Sequence, residues 1–408
     1  MKVAIVGPIA TENVAHLLGA SAAGAPRGYT GAPILATLIE SMLDRGHVVV
    51  GITTDVGPDG VKAPMAVRGE RVEMIYCPQR PRAFLPHGGS VGRAADLFAR
   101  ERRFLCAAIK ESKPDVVHAH WLYEFAWAAQ QSGLPCLITA HDSPRVILRY
   151  MPNLYRFVRY LMARIAARRA IRMTAVSPYL AGELRRITRA PIAVIPNPLP
   201  KAVEHRTAGS IHRPDRKSSA RIVMILNGWG PLKNGVAALQ ALIEVRRAEP
   251  SATLTLFGDA CGEGDAAYRF AHESGLAEGV IFRGRIDHSL LMQDLPNFDL
   301  LLHPALEESF GAGISEAMAL GLPVVAGACS GAVPWVVGNA GVLVDVRDPS
   351  AISAAVLRLL GNSALRRQLG EMGQRTTLER FSRAAVAAAT EAIYYELMPL
   401  PTAQMVHA

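Results

Sequence analysis

The stretch DVVHAHWLYEFAWAAQQSGLPCLITAHD (residues 115–142) contains a complete strand–helix–strand unit. Its two ends, DVVHAH and CLITAH, are short apolar runs that predict buried strands, and the segment Trp121–Ser132 between them predicts a helix. Strands that are apolar on both faces and joined by helices are typical of parallel sheets covered on both sides.

The same alternation extends in both directions through the first half of the chain. Towards the N-terminus lie strand KVAIVGPI (2–9), a glycine-containing loop, a helical pattern ending at Gly46, strand VVVGIT (48–53) and a helix around Arg93–Ser112. Towards the C-terminus lie a helix near Asn153–Arg169, strand MTAVS (173–177), a helix from Pro178 and strand AVIPN (193–197). We predict a doubly wound parallel sheet over residues 1–200.

A second alternating series follows residues 198–220, which are polar and predict a linker. Its predicted strands are RIVMILNG, ATLTLFGD, VIFRG, DLLLHP, PVVAG and GVLVDV, and a helical tail follows from Pro349 to about Leu397. The fold class is therefore α/β, with two Rossmann-like domains expected to face each other across a cleft. We predict domains over 1–200 and 201–380, with a C-terminal helix in 381–408 packing back on the first.

The composition excludes several classes of protein. Of 408 residues, 50% are apolar and 19% charged, which excludes a disordered chain. Five widely spaced cysteines without a CxxC pair argue against a disulfide scaffold or a cysteine zinc site, and favour a reducing cytosol. The apolar run near the N-terminus is too short for a signal peptide.

The uncharged stretch Ala317–Val344 resembles a membrane span in hydropathy only. Five glycines and two prolines divide it into short pieces, whereas a spanning helix needs about 20 continuous apolar residues. We predict buried strand, loop, helix and strand here.

The net charge of +9 is concentrated in the first half. Residues 1–200 hold 25 Lys and Arg against 14 Asp and Glu, whereas residues 201–408 hold 19 against 21. The segment Arg145–Arg189 alone contains eleven Arg and one acid, Glu183. Either these side chains form a solvated basic surface, or they attract an anionic membrane or a phosphorylated substrate. Nucleic acid is disfavoured because no aromatic stacking pattern interleaves the arginines.

The helix predicted within that segment has an apolar stripe. Leu154, Val158, Leu161 and Ile165 share one face, and we expect this face to pack on the sheet and leave the arginines outward.

The stretch HPALEESFGAGISEAMALGLPVVA (303–326) carries the main chemical pattern. A strand ends at His303-Pro304, a loop carries Glu307 and Glu308, and Glu316 lies one turn inside the following helix. Free amides at a helix N-terminus bind anions, and carboxylates accept hydrogen bonds from sugar hydroxyls. By itself this spacing also fits an ordinary strand–helix connection with solvated glutamates.

Glu308 and Glu316, followed by AMALGLPVVA, resemble the Glu-x7-Glu motif of GT4-type retaining glycosyltransferases, which have the GT-B fold. Further landmarks of that family appear in order: Gly28–Gly31, LIESMLDRGHVVVGIT, DVVHAHW, LITAHD, AVSPYL, VIPNPL, Lys-Asn-Gly, LFGD, VIFRGRID and RFSR. The resemblance implies a hexosyltransferase that uses a UDP- or GDP-sugar in polysaccharide or glycoconjugate biosynthesis. It implies a cytoplasmic enzyme, peripheral at the inner face of the membrane if the arginines contact it.

The resemblance also assigns roles in the second half, which would hold the donor. Glu316 would accept hydrogen bonds from the ribose hydroxyls, and Glu308 would contact the transferred sugar. Lys233 would neutralise the diphosphate. The distal phosphate and the sugar would bind the backbone amides of Phe310, Gly311 and Ala312.

Other roles implied by the resemblance lie outside that loop. His141 would face the donor sugar from the first half, and Gly31 would let the N-terminal loop approach the diphosphate. The backbone at Arg285 and Ile286 would meet the base.

The chain departs from the family pattern at three positions. Gly228 stands where the family usually has Arg, and we expect Arg283, Arg285 or a basic group of the first domain to compensate. Trp335 replaces a common Glu, and Pro198 replaces the glycine that often follows Asn197.

We expect no cofactor and no metal. His118 and His120 alternate on their strand, and we interpret them as pointing to opposite faces, which would prevent joint metal binding. The expected partners are a nucleotide-sugar and an acceptor of unknown identity (a sugar, a lipid-linked sugar or a small molecule), with membrane contact through Arg145–Arg189.

Two alternative functions remain open. A nucleotide-sugar epimerase or isomerase on the same scaffold would convert its substrate without an acceptor, although the Glu-x7-Glu pattern argues against it. A non-catalytic nucleotide-sugar binder is suggested by Gly228 in place of the usual Arg.

Overall fold

The structure, a computed structural model, describes residues 1–56, 60–85, 91–207 and 220–398. It divides into two compact units. The N-terminal unit comprises Met1–Pro198 together with the segment that begins at Arg383, and the C-terminal unit comprises Leu199–Ser382.

The N-terminal unit is built on an eight-stranded sheet of order β3-β4-β2-β1-β5-β6-β7-β8. All neighbouring strands pair in parallel except β3, which runs antiparallel to β4 at one edge. The strands are β1 (Lys2–Val6), β2 (Val48–Asp55), β3 (Met65–Arg68), β4 (Glu73–Pro78), β5 (Val116–His120), β6 (Cys136–Ala140), β7 (Arg172–Ala175) and β8 (Ile192–Val194).

Helices cover both faces of this sheet, as the apolar central strands predict. Val3, Ala4, Ile5 and Val6 of β1 are all fully buried. The helices are α1 (Thr11–Leu18), α2 (Ile34–Asp44), α3 (Ala99–Ser112), α4 (Glu124–Ser132), α5 (Pro144–Tyr150), α6 (Leu154–Arg169) and α7 (Pro178–Leu184).

Two of these helices begin later than predicted. Phe98 has φ 61° and Trp121 has φ 64°, so each residue interrupts the right-handed helical path before α3 and α4 begin.

The packing prediction for α6 is wrong. Its fully buried side chains are Met162, Ala163, Ala166 and Ala167, whereas Leu154 and Leu161 are exposed. The buried face packs on α4, whose Trp127 and Gln130 side chains donate to carbonyls of α6. Small alanines allow this close approach of two helices.

The C-terminal unit has a six-stranded parallel sheet of order β11-β10-β9-β12-β13-β14, which is the doubly wound Rossmann order. Its strands are β9 (Arg221–Ile225), β10 (Thr253–Phe257), β11 (Val280–Gly284), β12 (Leu300–His303), β13 (Val324–Gly327) and β14 (Gly341–Val344). Its helices are α8 (Lys201–Thr207), α9 (Gly235–Ala248), α10 (Ala266–Glu273), α11 (His288–Asp294), α12 (Ala312–Ala319), α13 (Val333–Val337), α14 (Pro349–Leu360) and α15 (Ser363–Phe381).

The predicted linker 198–220 is partly helical. α8 occupies part of it and buries Val203, and Leu199 just before the helix is buried as well. Residues 208–219 lie outside the described residues.

The uncharged stretch Ala317–Val344 contains the end of α12, β13, α13 and β14, as predicted. Across the described ranges, no helix is both long enough and apolar enough to span a membrane.

A last helix, α16 (Arg383–Leu397), belongs to the N-terminal unit. It packs on α2, and Glu391 accepts from Arg45 and His47. The buried Tyr394 hydroxyl lies 2.6 Å from Nδ1 of His118 in β5.

Candidate active site

A lysine–glutamate pair lies at the carboxyl ends of two neighbouring strands of the C-terminal unit. Lys233 closes a short 3₁₀ turn after β9, and Glu308 lies in the loop after β12. The Leu306 amide donates to the Leu232 carbonyl at 2.9 Å and holds the two loops together. Lys233 Nζ is consequently 2.7 Å from Glu308 Oε1.

The Lys-Asn-Gly sequence has a structural explanation. Asn234 has φ 53°, a left-handed conformation that asparagine tolerates better than most residues. Its Nδ2 donates to the carbonyls of Pro304 and Val346 at 3.1 and 2.7 Å. A Cβ at Gly235 would lie 2.1 Å from the Trp229 ring. These contacts fix the turn that carries Lys233.

His303 is a third member of this cluster, and the sequence analysis did not assign it a role. It is buried at the end of β12, and its Nε2 lies 3.5 Å from Glu308 Oε1. That distance is too long for a strong hydrogen bond, and this nitrogen has no hydrogen-bond partner among the described residues. The only signal in the sequence is its position at a strand end.

The cluster keeps Glu308 ionised. Burial by itself would raise the pKa of the Glu308 carboxyl. Neighbouring His303 and the Lys233 ammonium outweigh burial and lower the pKa to about 2. The site therefore presents a carboxylate beside a cation.

The N-terminus of α12 follows this pair directly. Gly311 is its N-cap with φ 91°, a conformation that favours glycine. Helix geometry leaves the first amides of α12, beginning with Ala312, without intrahelical acceptors. Phe310 is buried against Phe381 and Trp335, with ring centroids 5.2 and 6.4 Å away. Trp335 therefore has a packing role at the position where a Glu was expected.

Glu316 pairs with a histidine that the sequence analysis missed. His288 Nε2, at the start of α11, lies 3.1 Å from Glu316 Oε1. The hydrogen bond to Glu316 raises the pKa of His288, against the opposing effect of burial. No local pattern in the sequence links these two residues, which are 28 positions apart.

Gly228 follows β9, the strand that precedes Lys233, and Arg285 and Ile286 follow β11 in the same sheet. The Gly228 amide donates to the Asp259 carbonyl at 3.1 Å, and Arg285 Nη1 is 3.5 Å from Asp259 Oδ1. Gly228 has φ 95°. The contacts of the described residues do not include one from Arg283 or Arg285 to Lys233 or Glu308, so compensation for the missing Arg stays a prediction.

His141 belongs to a buried cluster in the N-terminal unit. Its Nε2 lies 2.9 Å from Nδ1 of His120, and its ring lies 4.3 Å from that of Trp121. Burial lowers the pKa of His141 to about 3, against a hydrogen bond with Asn197 that raises it. His141 is therefore neutral over the ordinary pH range.

The expectation that His118 and His120 point to opposite faces is wrong. Residues two apart on a strand share a face, and the two rings lie 4.1 Å apart. His118 is bonded to Thr139 and Tyr394, both at 2.6 Å. Burial lowers the pKa of His118 to about 3 and that of His120 well below its ordinary value. A cavity of about 30 Å³, with room for about two waters, adjoins the cluster.

The N-terminal glycine loop makes its close approach at Gly28. A Cβ there would lie 2.4 Å from the Ile9 carbonyl oxygen, and the Gly28 amide donates to Asp55 at 3.1 Å. Gly31 has φ 118° with open space around its Cα. Its approach to a diphosphate stays a prediction.

Within the described residues, no group of three or more His, Cys, Asp or Glu side chains is arranged to hold a metal ion. His118, His120 and His141 contact one another, two hydroxyl groups and the Trp121 ring. The expected absence of a metal stays a prediction.

Two family models match consecutive parts of the chain. Residues 33–202 match the family described as "Glycosyltransferase Family 4", and residues 220–362 match "Glycosyl transferases group 1". The chain belongs to glycosyltransferase family 4. The recognition of this family from the Glu-x7-Glu motif is confirmed.

Curated relatives of this family-4 glycosyltransferase align over different shares of their length. N-acetyl-alpha-D-glucosaminyl L-malate synthase of Bacillus anthracis is 25% identical over 70% of this chain and 75% of its own. A D-inositol 3-phosphate glycosyltransferase of Catenulispora acidiphila is 28% identical over 69% and 70%. MMP alpha-(1->4)-mannosyltransferase of Mycolicibacterium hassiacum is 34% identical, but over only 43% of this chain and 42% of its own.

Solved structures show that the family-4 chain has the GT-B fold. Sucrose-phosphate synthase from Thermosynechococcus elongatus has a TM-score of 0.71 and 20% identity, covering 97% of this chain and 99% of its own. Anabaena HepE, in complex with UDP and glucose, has a TM-score of 0.66 and 19% identity over 97% and 99%. The prediction of two parallel-sheet α/β domains is confirmed.

The structure of this family-4 glycosyltransferase groups some predicted site residues and separates others. Lys233 and Glu308 are in direct contact, and the amides around Gly311 follow them within the same loop. Glu316 lies farther along α12 with His288. His141 and Gly31 belong to the other unit.

Proposed function

We propose that the chain transfers a sugar from a UDP- or GDP-sugar to an acceptor, with retention of anomeric configuration. The observation that carries this proposal is the Lys233–Glu308 pair, 2.7 Å apart beside the N-terminus of α12. A cation and free amides suit a diphosphate, and an ionised carboxylate suits the cationic sugar that forms when the anomeric bond breaks. A relative from Mycolicibacterium smegmatis, 30% identical over 39% of this chain, is named as GDP-mannose-dependent.

Donor binding would rearrange the pair. Lys233 Nζ donates to Glu308 Oε1 at 2.7 Å. A diphosphate carries more negative charge than one carboxylate, so it competes for the ammonium and turns it towards the leaving group. The anomeric C–O bond then breaks with its electron pair on the departing phosphate, whose charge Lys233 and the α12 amides stabilise.

The other predicted residues complete this proposal. Glu316 would accept from the ribose hydroxyls, and the backbone at Arg285 and Ile286 would meet the base. The Phe310, Gly311 and Ala312 amides would hold the distal phosphate, and the neutral His141 and the Gly31 loop would meet the donor from the N-terminal unit. Retention follows if the acceptor attacks the face that the diphosphate leaves.

The acceptor we propose is anionic, within polysaccharide or glycoconjugate biosynthesis. Excess positive charge lies in the N-terminal unit, where residues 1–200 carry 25 basic against 14 acidic side chains. Two relatives are named after anionic compounds, L-malate and D-inositol 3-phosphate. Selectivity among such acceptors requires their direct assay.

A donor panel with matched variants tests the proposal. We expect hydrolysis or transfer from at least one UDP-, GDP- or ADP-sugar, with the product anomer read by NMR. Lys233→Ala lowers kcat about 100-fold because it removes charge stabilisation at the leaving group. Glu316→Ala chiefly weakens donor binding.

Lys201→Ala and Glu371→Ala are the matched controls, since both residues are exposed and away from the pair. Equal kinetics for Lys233→Ala, Glu316→Ala and these controls would show that the site is misplaced. Inversion of the anomeric centre would contradict retention alone.

A non-catalytic nucleotide-sugar binder is the second candidate. Gly228, in a left-handed conformation, leaves half of the family's usual cation pair absent. Calorimetric binding of a donor without turnover, in the presence of candidate acceptors, would favour this function over transfer.

A further inference from the structure

Helix α6 has two opposite faces of different character. Met162, Ala163 and Ala166 are fully buried against the N-terminal unit. On the other side, Leu154, Phe157 and Leu161 are 64%, 47% and 38% exposed. Spacings of three and four residues place these three side chains on one face of the helix. An exposed row of large apolar side chains on a helix costs solubility unless it contacts something.

The apolar surface extends beyond α6. Met151 lies just before the helix and is exposed. Phe84 contacts Tyr155 of α6, with ring centroids 6.4 Å apart, and Leu85 beside it is exposed. We call the six exposed residues the apolar patch: Phe84, Leu85, Met151, Leu154, Phe157 and Leu161.

Arginines continue the same helix face. Arg164 and Arg168 follow Leu161 at the spacing that keeps them on this side of α6. Glu183, the only acid between residues 145 and 189, is already held by Arg145 and Arg186 at 2.8 and 3.3 Å. Seven of the eleven arginines in that segment form no ion pair among the described residues: Arg149, Arg156, Arg164, Arg168, Arg169, Arg185 and Arg189.

We propose that the apolar patch and the arginines beside it dock the N-terminal unit on an anionic lipid bilayer. Apolar side chains on one helix face enter the boundary between headgroups and acyl chains, while the unpaired guanidinium groups meet lipid phosphates. A protein partner could cover the apolar residues, but its surface would also need an acidic rim to match unpaired arginines. A bilayer with anionic lipid supplies both features over the whole length of α6.

This docking surface goes beyond the proposed transfer reaction. It involves no residue of the Lys233–Glu308 site, and it gives a role to arginines of residues 145–189 that form no ion pair among the described residues. It predicts an enzyme held at the membrane through one unit, with α6 lying along the surface.

Vesicle partitioning of the full chain tests the proposal. We use phosphatidylcholine vesicles with and without 30% phosphatidylglycerol, at low and high salt. Wild type is expected to bind anionic vesicles at least about 10-fold more strongly than neutral ones. Arg164→Glu with Arg168→Glu, and separately Leu154→Ser with Phe157→Ser, should each lower binding about 10-fold or more. High salt should weaken the wild type and affect the arginine variant less.

Matched controls come from exposed side chains of the C-terminal unit. Arg247→Glu with Arg375→Glu gives the same change in charge, and Ile243→Ser with Ile281→Ser gives the same loss of apolar surface. Equal losses in the controls, or no vesicle binding by wild type, would overturn the proposal. So would a dimer in sedimentation velocity that disappears in the Leu154→Ser, Phe157→Ser variant.

Donor turnover without lipid separates this proposal from the proposed function. The Leu154→Ser, Phe157→Ser variant, which leaves every charge in place, should hydrolyse a water-soluble donor at the wild-type rate. Lipid binding without turnover would leave the docking surface standing while removing the transferase, and turnover without lipid binding would do the reverse.

Discussion

Each unit has a cluster of polar side chains at the carboxyl end of its parallel sheet. The cluster of the N-terminal unit is electrically neutral, whereas that of the C-terminal unit contains ionised groups. In the N-terminal unit, burial keeps His118, His120 and His141 neutral. In the C-terminal unit, His303 and Lys233 keep Glu308 ionised although Glu308 is largely buried. Similar backbone frames therefore support two different electrostatic environments.

This difference corresponds to two separate requirements of the proposed reaction. A leaving diphosphate needs fixed charges, because they stabilise negative charge without reorganisation. A sugar or acceptor hydroxyl needs neutral hydrogen-bonding groups that do not change protonation with pH. Under the proposed reaction, the charged cluster of the C-terminal unit would suit the diphosphate and the neutral cluster of the N-terminal unit would suit a hydroxyl group.

The largest expected effect is acid unfolding of the N-terminal unit alone. The pKa values of its buried histidines are depressed, so their stabilisation is complete above about pH 6.5 and is lost as pH falls towards about 3. At pH 5, the neutral His118 and His141 each lower the free energy of unfolding by about 2 kcal/mol relative to neutral pH. The pKa of Glu308 is lowered to about 2, so its stabilisation is lost only as pH falls below about 4.5, and between pH 7 and 5 it should leave the C-terminal unit unaffected. Hydrogen exchange of peptides from each unit at pH 7 and 5 measures the difference.

Two variants check that the histidines are the cause. His120→Leu should make the pH dependence shallower, whereas His205→Leu, at an exposed histidine in α8, should leave it unchanged. Simultaneous loss of protection in both units would break the comparison.

A smaller effect is expected on adding the missing cation to the C-terminal unit. Gly228→Arg should destabilise the unit by about 1–2 kcal/mol, because φ 95° is unfavourable for a residue with a Cβ. It should also tighten donor binding several-fold, since the space around this Cα is open. Thermal unfolding and donor titration measure the two effects.

Gly230→Arg is the matched control. Gly230 has extended backbone with φ −152° and open space, so an arginine there should cost little stability. Equal destabilisation by both variants would show that the conformation of Gly228 is not the cause.

The smallest effect concerns His288. Its pKa is raised by Glu316, so the ion pair is complete below about pH 6.5 and is lost as pH rises through the higher folded value. The protonated ring competes with ribose for Glu316, and donor binding should weaken about two- to threefold from pH 8 to pH 6. His288→Phe should flatten this dependence, and His272→Phe, which does not contact Glu316, should retain it. A steeper dependence in His288→Phe would contradict the competition.

Much of the fold could be predicted because the central strands are apolar on both faces. The edge strand β3 was missed because only one of its four residues is buried, and the neighbouring strand β4 was missed as well. The start of α4 was misplaced because the left-handed Trp121 leaves no distinctive pattern in the sequence. The packing of α6 was wrong because its partner is a helix reached through small alanines rather than the sheet.

The candidate site was predictable where its residues share one motif. Glu308 and Glu316 lie on a single loop and helix, and their spacing carried the prediction. His303 and His288 reach those glutamates through the sheet topology, which brings strand ends together over long sequence separations. Strand geometry alone places His118 and His120 on the same face of the sheet, because they are two residues apart, so the opposite interpretation was an avoidable error.

The place of α16 in the N-terminal unit sets an order of events during synthesis. The C-terminal unit is one continuous segment, so it can fold before synthesis of the chain is complete. The N-terminal unit cannot complete its packing until α16 has been synthesised and Tyr394 contacts His118. Until then the α2 surface that α16 covers stays open on the nascent chain. A chain ending after residue 382 should therefore carry a completed C-terminal unit beside an N-terminal unit that recruits chaperones.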